Sequence, residues 1–505
     1  MYIIGVDIGT QGTKTAIFTF DGSVVAESFE ASRIISPSPG VVEQNADEIY
    51  RSVTNTIKDA VHKSNIPPQK VSAIGLDGQM AGILGIDDDW NALTPYDSWL
   101  DTRCGKYIEV IKNEAEDEVI KITGCPVTYA HGPKVLWWKY EQPELYKKIK
   151  KFIQPTAYVA GRLTGLRAEQ AYIDYTHLHF SGFGDVLKLE WSDKLLDMFC
   201  VDRNKMPEIV EPWRIVGVLS KDAAAECGLV SGIPVAAGCG DQAATCLGAG
   251  VVEPGTVFDV SGTASVLSCC VNKYSPDIKN KTLVFPRSVI SGLWIPLAYI
   301  SGGGLCLKWF RDQLSWKENL PSFEELDKEA AKIKPGSEGL FFIPHFAGRT
   351  CPNNPMMRGS WIGLNWVHTK AHMYRSVMEA IAYEYSYYLS IIRELADGLE
   401  LSAVTTIGGG AKSGIFNSIK ADVLGMPYRT LKKGDAAVLG SAIVAGHGVK
   451  IYYDIKAAAS SIVEKKEEIQ PDMDKHRLYQ KYSAAYIDLI DLMEDVYRKA
   501  GSAIQ

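Results

Sequence analysis

The sequence contains the same strand–turn–strand pattern twice, about half a chain length apart. Near the N-terminus, an apolar run leads to Asp7 and the polar turn Gly9–Thr13, and a second alternating run follows. In the second half, a similar run contains Asp259 and leads to the turn Gly262-Thr263 and another apolar run. Alternating segments separated by glycine are typical of strands joined by tight turns. The repetition therefore favours a protein built from two similar halves.

Helical patterns alternate with these predicted strands. Apolar residues recur at helical spacing over residues 46–62, and a short buried strand is expected over residues 71–76. A C-terminal amphipathic helix is predicted over residues 472–500. Such a mixture is typical of an α/β protein. A chain of 505 residues is long enough for two or three domains, and the repetition selects two, at residues 1–246 and 247–505.

Composition argues against several classes of protein. The chain has 53 Lys and Arg against 60 Asp and Glu, a formal net charge of −7, so charge gives no reason to expect nucleic acid or an anionic membrane as partner. The 10 cysteines include no C-x-x-C pair, which favours a reducing compartment. No apolar stretch approaches the roughly 18 residues of a membrane span, and the N-terminus lacks the basic segment of a signal peptide. We therefore expect a cytoplasmic protein.

Three glycine-rich turns are candidates for phosphate binding, because such turns present consecutive backbone N–H groups. They are Gly9–Thr13, Gly262-Thr263 and Gly408–Lys412, and Lys14 or Lys412 would add positive charge. None matches the P-loop pattern, and no G-x-G-x-x-G opens a helix after the first strand. Each turn alone has a purely structural alternative. Three of them, two associated with an aspartate, favour a phosphate-rich ligand.

Two carboxylates are candidates for the chemistry. Asp7 leaves the first strand beside the first glycine turn, where it is suited to hold Mg²⁺, usually through water. Asp241 follows a short apolar strand and Gly240, and it precedes a predicted helix. A helix N-terminus favours the ionised carboxylate, so Asp241 would be available to accept a proton from a substrate hydroxyl. The alternative is that Asp241 only caps the helix.

Two histidine pairs are weak candidates for a metal site. His368 and His372 have helical spacing, but no Glu follows the first of them and no Cys is near. His177 and His179 alternate as residues of a strand would. We interpret both pairs as structural.

Several motifs, in order along residues 2–448, resemble those of the FGGY carbohydrate kinases. They cover the phosphate, sugar, signature and adenosine segments of that family. The matching segments are Ile4–Lys14 (first phosphate hairpin), Gly78-Gln79-Met80 followed by Gly82 (xylulokinase substrate loop), Trp99–Cys104 (W-x-D-x-R-x), Gly240–Gln242 (catalytic Asp), Gly359–Leu364 with His372–Glu379 (C-terminal signature), and Gly408–Ser413 with Asn417 (adenosine).

The resemblance implies an actin-like, ribonuclease H-like two-domain ATPase fold with the active site in the interdomain cleft, and ATP and Mg²⁺ as cofactors. It implies that Asp7 lies by the metal and that Asp241 is the catalytic residue. The residues implied to face the sugar are Gln79, Met80, Asp101 and Asp241. The residues implied to hold the nucleotide are Thr10, Gln11, Thr13, Lys14, Gly262, Thr263, Gly409, Gly410, Ala411 and Asn417. Analogy with the family also allows a homodimer.

The identity of the acceptor is left open by one position. Xylulokinases usually carry His after Gly-Gln-Met, whereas Ala81 stands here, and this change removes a hydrogen-bonding and shape constraint on the polyol. A xylulose-like ketopentose is the first expectation, with gluconate, ribulose, erythritol and glycerol as alternatives. A nucleotide-gated, actin-like binding protein is the non-enzymatic alternative. Asp241 argues against it, because a protein that only switches with ATP needs no proton acceptor.

Overall fold

The computed structural model describes residues 1–314, 320–432 and 435–504. The strands are β1 (Tyr2–Ile8), β2 (Gly12–Thr19), β3 (Val24–Ala31), β4 (Glu43–Gln44), β5 (Val71–Gly78), β6 (Leu84–Ile86), β7 (Tyr96–Asp97), β8 (Lys151–Ile153), β9 (Tyr172–Asp174), β10 (Gly184–Asp185), β11 (Glu190–Trp191), β12 (Glu208–Val210), β13 (Ile215–Val218), β14 (Pro234–Ala236), β15 (Cys239–Gly240), β16 (Val257–Ser261), β17 (Ser265–Cys269), β18 (Leu297–Ile300), β19 (Phe341–Ile343), β20 (Ser360–Ile362), β21 (Val404–Ile407), β22 (Tyr428–Leu431) and β23 (Lys465–Ile469).

The α-helices are α1 (Ala46–Ser64), α2 (Gly105–Thr123), α3 (His131–Glu141), α4 (Pro143–Lys148), α5 (Pro155–Thr164), α6 (Asp193–Met198), α7 (Lys221–Cys227), α8 (Asp241–Gly248), α9 (Gly303–Leu314), α10 (Phe323–Ala330), α11 (Lys370–Leu395), α12 (Gly414–Leu424), α13 (Ala436–Gly448), α14 (Ile455–Ile462) and α15 (Met473–Ile504). Short 3₁₀ helices cover Pro68–Lys70, Ala168–Gln170, Leu178–Ser181, Arg203–Lys205, Ser337–Gly339 and Gly410–Lys412. Within the described residues, no helix is both long enough and apolar enough to cross a membrane.

The chain forms two compact units that are not consecutive in sequence. Unit 1 contains residues 1–252, 285–295 and 435–463, and unit 2 contains residues 253–284, 296–434 and 464–505. These units differ from a single cut after residue 246, because two later segments pack with unit 1. The domains 1–246 and 247–505 stay a prediction.

The central sheet of unit 1 has seven strands in the order β13-β14-β5-β1-β2-β3, and β15 also pairs with β5. Strand β1 is antiparallel to β2 and parallel to β5. Helix α13 lies close to this sheet because two strand positions lack a side chain. A Cβ atom at Gly5 would lie 2.0 Å from the Val438 carbonyl oxygen, and one at Gly75 would lie 2.0 Å from that of Ser441.

The sheet of unit 2 repeats this arrangement. Its order is β18-β17-β16-β21-β22-β23, with β16 antiparallel to β17 and parallel to β21. Each unit therefore has a hairpin, as the repeated sequence pattern indicated, and a parallel strand beside it. Mixed sheets combined with helices confirm the α/β prediction.

The strand predicted around His177 and His179 is wrong. Strand β9 ends at Asp174, and a 3₁₀ helix over Leu178–Ser181 follows. The Asp174 carboxylate accepts a hydrogen bond from the backbone N–H of Thr176 (2.9 Å). This local side-chain acceptor competes with a strand ladder and turns the chain.

Candidate active site

Three aspartates lie at neighbouring strand ends in unit 1. Asp7 of β1 is opposite Asp77 of β5. On the other side of β5, Cys239 of β15 is opposite Asp77, and Asp241 begins α8 directly after β15. The carboxyl ends of strands in an α/β sheet are where ligands commonly bind. The sequence predicted Asp7 and Asp241 for the site but missed Asp77, although a carboxylate at the end of the predicted strand 71–76 was the available signal.

Burial disfavours the ionised form of the first two aspartates, and nearby carboxylates add to this effect. Burial raises the pKa of Asp7 to about 6, and the carboxylate of Asp435 adds to this increase. Burial raises the pKa of Asp77 well above its ordinary value, and the charge of Asp7 raises it further. The Ser441 hydroxyl donates to Asp77. Among the described residues, Oδ1 of Asp7 and Oδ1 of Asp77 have no hydrogen-bond partner. The pair is therefore suited to attract a cation.

Asp241 occupies the first position of α8, while Gly240 is the N-cap residue. Its Oδ1 accepts a hydrogen bond from the backbone N–H of Gln242 (2.7 Å). The expectation that the helix start keeps this group ionised is outweighed by its surroundings. Burial raises the pKa of Asp241 to about 7 and the charge of Asp7 adds to the increase, whereas Gln242 and His177 oppose it. A carboxyl group with a pKa near neutrality is well matched to proton transfer.

A polar network joins the first glycine turn to the loop after β5. The Thr10 hydroxyl donates to Oε1 of Gln79 (3.2 Å) and accepts a hydrogen bond from Nε1 of Trp99 (2.8 Å). Nε2 of Gln79 donates to Oε1 of Gln44 (2.6 Å). The structure thus brings together a residue predicted to bind nucleotide and one predicted to bind sugar. Gln44 was missed, because nothing near it in sequence indicates this contact.

The loop from Gln79 to Ala81 is fixed in place. A Cβ atom at Gly240 would lie 2.5 Å from Sδ of Met80, so the thioether packs directly beside the residue that precedes Asp241. Ala81 has a φ of 62°, an uncommon conformation for a residue other than glycine. The buried Lys134 ammonium donates to the Ala81 carbonyl (3.0 Å) and to two further carbonyls (both 2.8 Å). These bonds hold the strained loop.

Asp101 is less accessible than the resemblance implied. Its side chain is 0% exposed. Oδ2 accepts hydrogen bonds from the Val42 backbone (2.7 Å) and from Nε of Arg103 (2.8 Å), and Oδ1 accepts one from the Arg103 backbone (3.1 Å). Arg103 also pairs with Glu43 (2.5 Å). Both oxygens of Asp101 are thus occupied by protein donors, and its contact with a sugar stays a prediction.

The remaining predicted residues of the first hairpin point in different directions. The Thr13 hydroxyl is buried against Ser52 of α1 (2.6 Å), so the structure does not place it with that of Thr10. Gln11 is exposed in the turn. The Lys14 ammonium pairs with Glu27 (3.0 Å) and with Asp435. Alternate side chains of a strand face opposite sides of the sheet, which explains why Thr13 and Lys14 separate.

The two glycine turns of unit 2 lie side by side. They follow β16 and β21, which are parallel neighbours. A Cβ atom at Gly408 would lie 2.6 Å from the Ser261 carbonyl oxygen, and one at Gly410 would lie 2.7 Å from Cβ of Ser261. A Cβ atom at Gly409 would meet nothing within 4 Å. The structure therefore brings the predicted phosphate turn Gly262-Thr263 next to the predicted adenosine turn.

Asn417 supports the turn Gly408–Lys412 by a hydrogen bond. Its side chain is 1% exposed, and Nδ2 donates to the Ala411 carbonyl (2.8 Å). Among the residues that the structure describes, Oδ1 of Asn417 has no partner. The amide therefore fixes the turn at Ala411 while keeping one acceptor uncommitted.

Asp259, the counterpart of Asp7 in the repeated pattern, has a different environment. Its side chain and that of Lys420 are both 0% exposed, and the two form an ion pair. Oδ1 accepts a hydrogen bond from the Tyr385 hydroxyl (2.8 Å), and Oδ2 accepts one from the Thr406 hydroxyl (3.0 Å). Asp259 is therefore a fully paired structural carboxylate, whereas Asp7 is not.

Comparison with known proteins assigns the chain to a family. Residues 2–248 match the N-terminal domain of the FGGY family of carbohydrate kinases, and residues 260–449 match its C-terminal domain. The xylulose kinase of Bacillus subtilis is 28% identical over 98% of this chain and 96% of its own length. The gluconokinase of the same organism is 27% identical over 98% of this chain and 97% of its own length.

The fold agrees with this assignment. The crystal structure of a ligand-bound xylulose kinase from Lactobacillus acidophilus superposes with a TM-score of 0.92 at 23% identity, covering 99% of both chains. The predicted actin-like ATPase fold is thereby confirmed. The chain belongs to the FGGY family of carbohydrate kinases.

Proposed function

We propose that this carbohydrate kinase transfers the γ-phosphoryl group of ATP to a hydroxyl group of a ketopentose or a related sugar or polyol, with a xylulose-like acceptor as the first candidate. The observation that carries the proposal is the environment of Asp241. The residue before it, Gly240, packs against Met80, and burial raises the pKa of Asp241 to about 7. A group of this kind accepts a proton efficiently near neutral pH.

In this mechanism Asp241 takes the proton of the attacking hydroxyl. Phosphoryl transfer needs little other covalent chemistry from the protein, because most of the catalysis is positioning and charge stabilisation. The Gln242 N–H, which donates to Asp241 at 2.7 Å, fixes the direction of the carboxylate. Gln79 would orient the acceptor, since its side chain is held by Thr10 and Gln44.

The nucleotide would be held by backbone donors. Gly262 and Thr263 supply an accessible turn after β16, and Thr263 is exposed. The space around Gly409 leaves room for a ligand against the second turn, and Asn417 keeps that turn rigid. In unit 1, Thr10 and Gln11 present the turn between β1 and β2. Turns with consecutive N–H groups are favourable for phosphate oxygens.

The residues present fit Mg²⁺. Oxygen ligands are what this ion prefers, and it commonly binds through one or two carboxylates together with substrate phosphates. Asp7 offers an uncommitted Oδ1, and its neighbour Asp77 offers a second uncommitted carboxyl oxygen. When bound there, Mg²⁺ would neutralise phosphate charge. Asp7 would hold it, and Lys14 would balance the nearby Asp435.

The charges near Asp241 support a neutral acceptor over gluconate. Asp7, Asp77 and Asp241 place three acidic groups there, and an anion would be repelled by those that are ionised. Arg103, the cation of the W-x-D-x-R-x segment, is committed to Asp101 and Glu43. Ketopentoses and polyols carry no charge, so they avoid this repulsion.

The test is sugar-dependent ADP release with Mg²⁺-ATP, measured for D-xylulose, D-ribulose, erythritol, glycerol and gluconate. We expect one neutral acceptor to dominate, and Asp241→Asn to lower kcat by about a hundredfold or more. Asp222→Asn is a matched control, because Asp222 is an exposed acidic residue in the first turn of α7. An Asp241→Asn protein that keeps the wild-type kcat would refute the mechanism.

Light scattering after gel filtration tests the homodimer expected by analogy.

A further inference from the structure

Three buried histidines lie in unit 1 on segments outside the predicted site. His131, His177 and His179 are 4%, 0% and 1% exposed. Each has one ring nitrogen without a hydrogen-bond partner among the described residues, namely Nε2 of His131, Nε2 of His177 and Nδ1 of His179. Buried polar atoms are normally paired. Three such atoms in one region therefore need an explanation.

His177 is tied to the segment that carries Asp241. The Thr176 hydroxyl accepts a hydrogen bond from the backbone N–H of Gly240 (2.9 Å). The residue before His177 is thus bonded directly to the residue before Asp241. The charge of His177 also lowers the pKa of Asp241, as expected for groups on two bonded segments.

Asp174 fixes the imidazole of His177. Oδ2 of Asp174 lies 2.5 Å from Nδ1 of His177, and Oδ1 accepts the Thr176 backbone N–H at 2.9 Å. A carboxylate at Nδ1 holds the proton on that nitrogen and sets the orientation of the ring. The ring atom left for another partner is Nε2. A sugar hydroxyl suits this atom in either protonation state, because a hydroxyl both donates and accepts.

The neighbouring loop supplies no imidazole. Ala81 follows Gln79 and Met80, and its methyl side chain cannot hydrogen-bond. We propose that His177, oriented by Asp174, binds an acceptor hydroxyl next to the one that Asp241 deprotonates and thereby determines which sugar or polyol is used. The proposal rests on the sugar kinase function proposed above. In this role His177 touches substrate, and Asp174 is a positioning residue.

The test compares His177→Gln and Asp174→Asn with the wild-type protein. Steady-state rates are measured for the five acceptors named above, with the KM of ATP determined in parallel. For the acceptor with the highest wild-type kcat/KM, we expect His177→Gln to raise the acceptor KM about tenfold, equivalent to about 1.4 kcal/mol. Asp174→Asn should raise it less, because the imidazole remains. The KM of ATP should be unchanged in both.

His179→Gln is the matched control, since His179 is buried on the same turn and also has an unpartnered nitrogen. It should leave the acceptor KM unchanged. An acceptor KM of His177→Gln within twofold of wild type would overturn the inference, as would an equal increase in His179→Gln. If His177→Gln does not fold, as judged by thermal unfolding, Asp174→Asn decides by the same criterion. Failure of every acceptor with the wild-type protein would instead overturn the proposed function, whereas turnover that His177→Gln leaves unchanged overturns only this inference.

Discussion

Replacing Lys420 by Met should show whether Asp259 of unit 2 has a structural role that Asp7 of unit 1 does not have. Lys420 and Asp259 are both 0% exposed and form an ion pair. Removing the lysine leaves a buried carboxylate whose other partners include the neutral hydroxyls of Ser261, Thr406 and Tyr385. Breaking a buried pair in this way costs about 3–5 kcal/mol. For a unit of this size, that loss lowers Tm by at least about 6 °C.

Differential scanning calorimetry measures this effect, and two further proteins identify its cause. In the double variant Lys420→Met, Asp259→Asn, no buried charge remains, so most of the stability should return. Lys432→Met breaks an exposed pair with Glu464, whose side chains are 58% and 54% exposed, and it should cost under about 1 kcal/mol.

Activity measurements on the same variants test whether the aspartates of the two hairpins have different roles. Asp259 should be dispensable for chemistry, so the double variant should keep its kcat once folded. Asp7→Asn, in the first hairpin, should lose activity because its carboxylate is the candidate metal ligand. A Lys420→Met protein destabilised by no more than Lys432→Met would refute the reasoning. So would a folded double variant with no activity.

Three further outcomes are expected. The proposed mechanism requires Asp241 to be deprotonated, and burial raises its pKa to about 7. The kcat/KM for the acceptor should therefore fall as pH decreases through about 7. A flat pH–rate profile from pH 6 to 8 would contradict this. Gly409→Ala should fold normally and act only on ATP affinity, whereas Gly410→Ala should also lower Tm, because its Cβ would lie 2.7 Å from Cβ of Ser261; calorimetric titration with thermal melting distinguishes the two. Gly75→Ala places a Cβ 2.0 Å from the Ser441 carbonyl oxygen and should cost about 1–3 kcal/mol or more in chemical denaturation, and a neutral result would show that α13 can shift.

Helix boundaries were predictable where neighbouring residues in the sequence cap the helix. The helix predicted over residues 46–62 is observed as Ala46–Ser64. Asn45 caps its start by accepting the Glu48 N–H (3.0 Å), and Asn65 ends it with a φ of 52°. The packing of α13 against the sheet of unit 1 was not predictable. Its sequence is apolar on nearly every side, which indicates a buried helix but does not identify the sheet that covers it.

The direction of side chains in the site was only partly predictable. Thr13 and Thr15 both contact α1, through Ser52 (2.6 Å) and Thr56 (2.8 Å). Period-two alternation in β2 contained this information, because Thr13 shares a face with Thr15. The occupation of Asp101 by the Val42 backbone was not predictable, since the two are far apart in sequence.

The two hairpins show why a repeated pattern predicts backbone better than chemistry. Both units have a hairpin with a glycine turn beside a parallel strand, and glycine and apolar alternation dictate the hairpin locally. The charge state of the aspartate in each hairpin depends instead on residues supplied from elsewhere. Asp259 receives Lys420, a cation 161 residues away, and becomes a paired structural group. Asp7 lies opposite Asp77, and burial together with the charge of Asp435 raises its pKa to about 6, so its ionised form would be favoured by a bound cation. In the proposed mechanism, metal binding therefore belongs to the first copy of the motif, and the second copy supplies its glycine turn for the nucleotide.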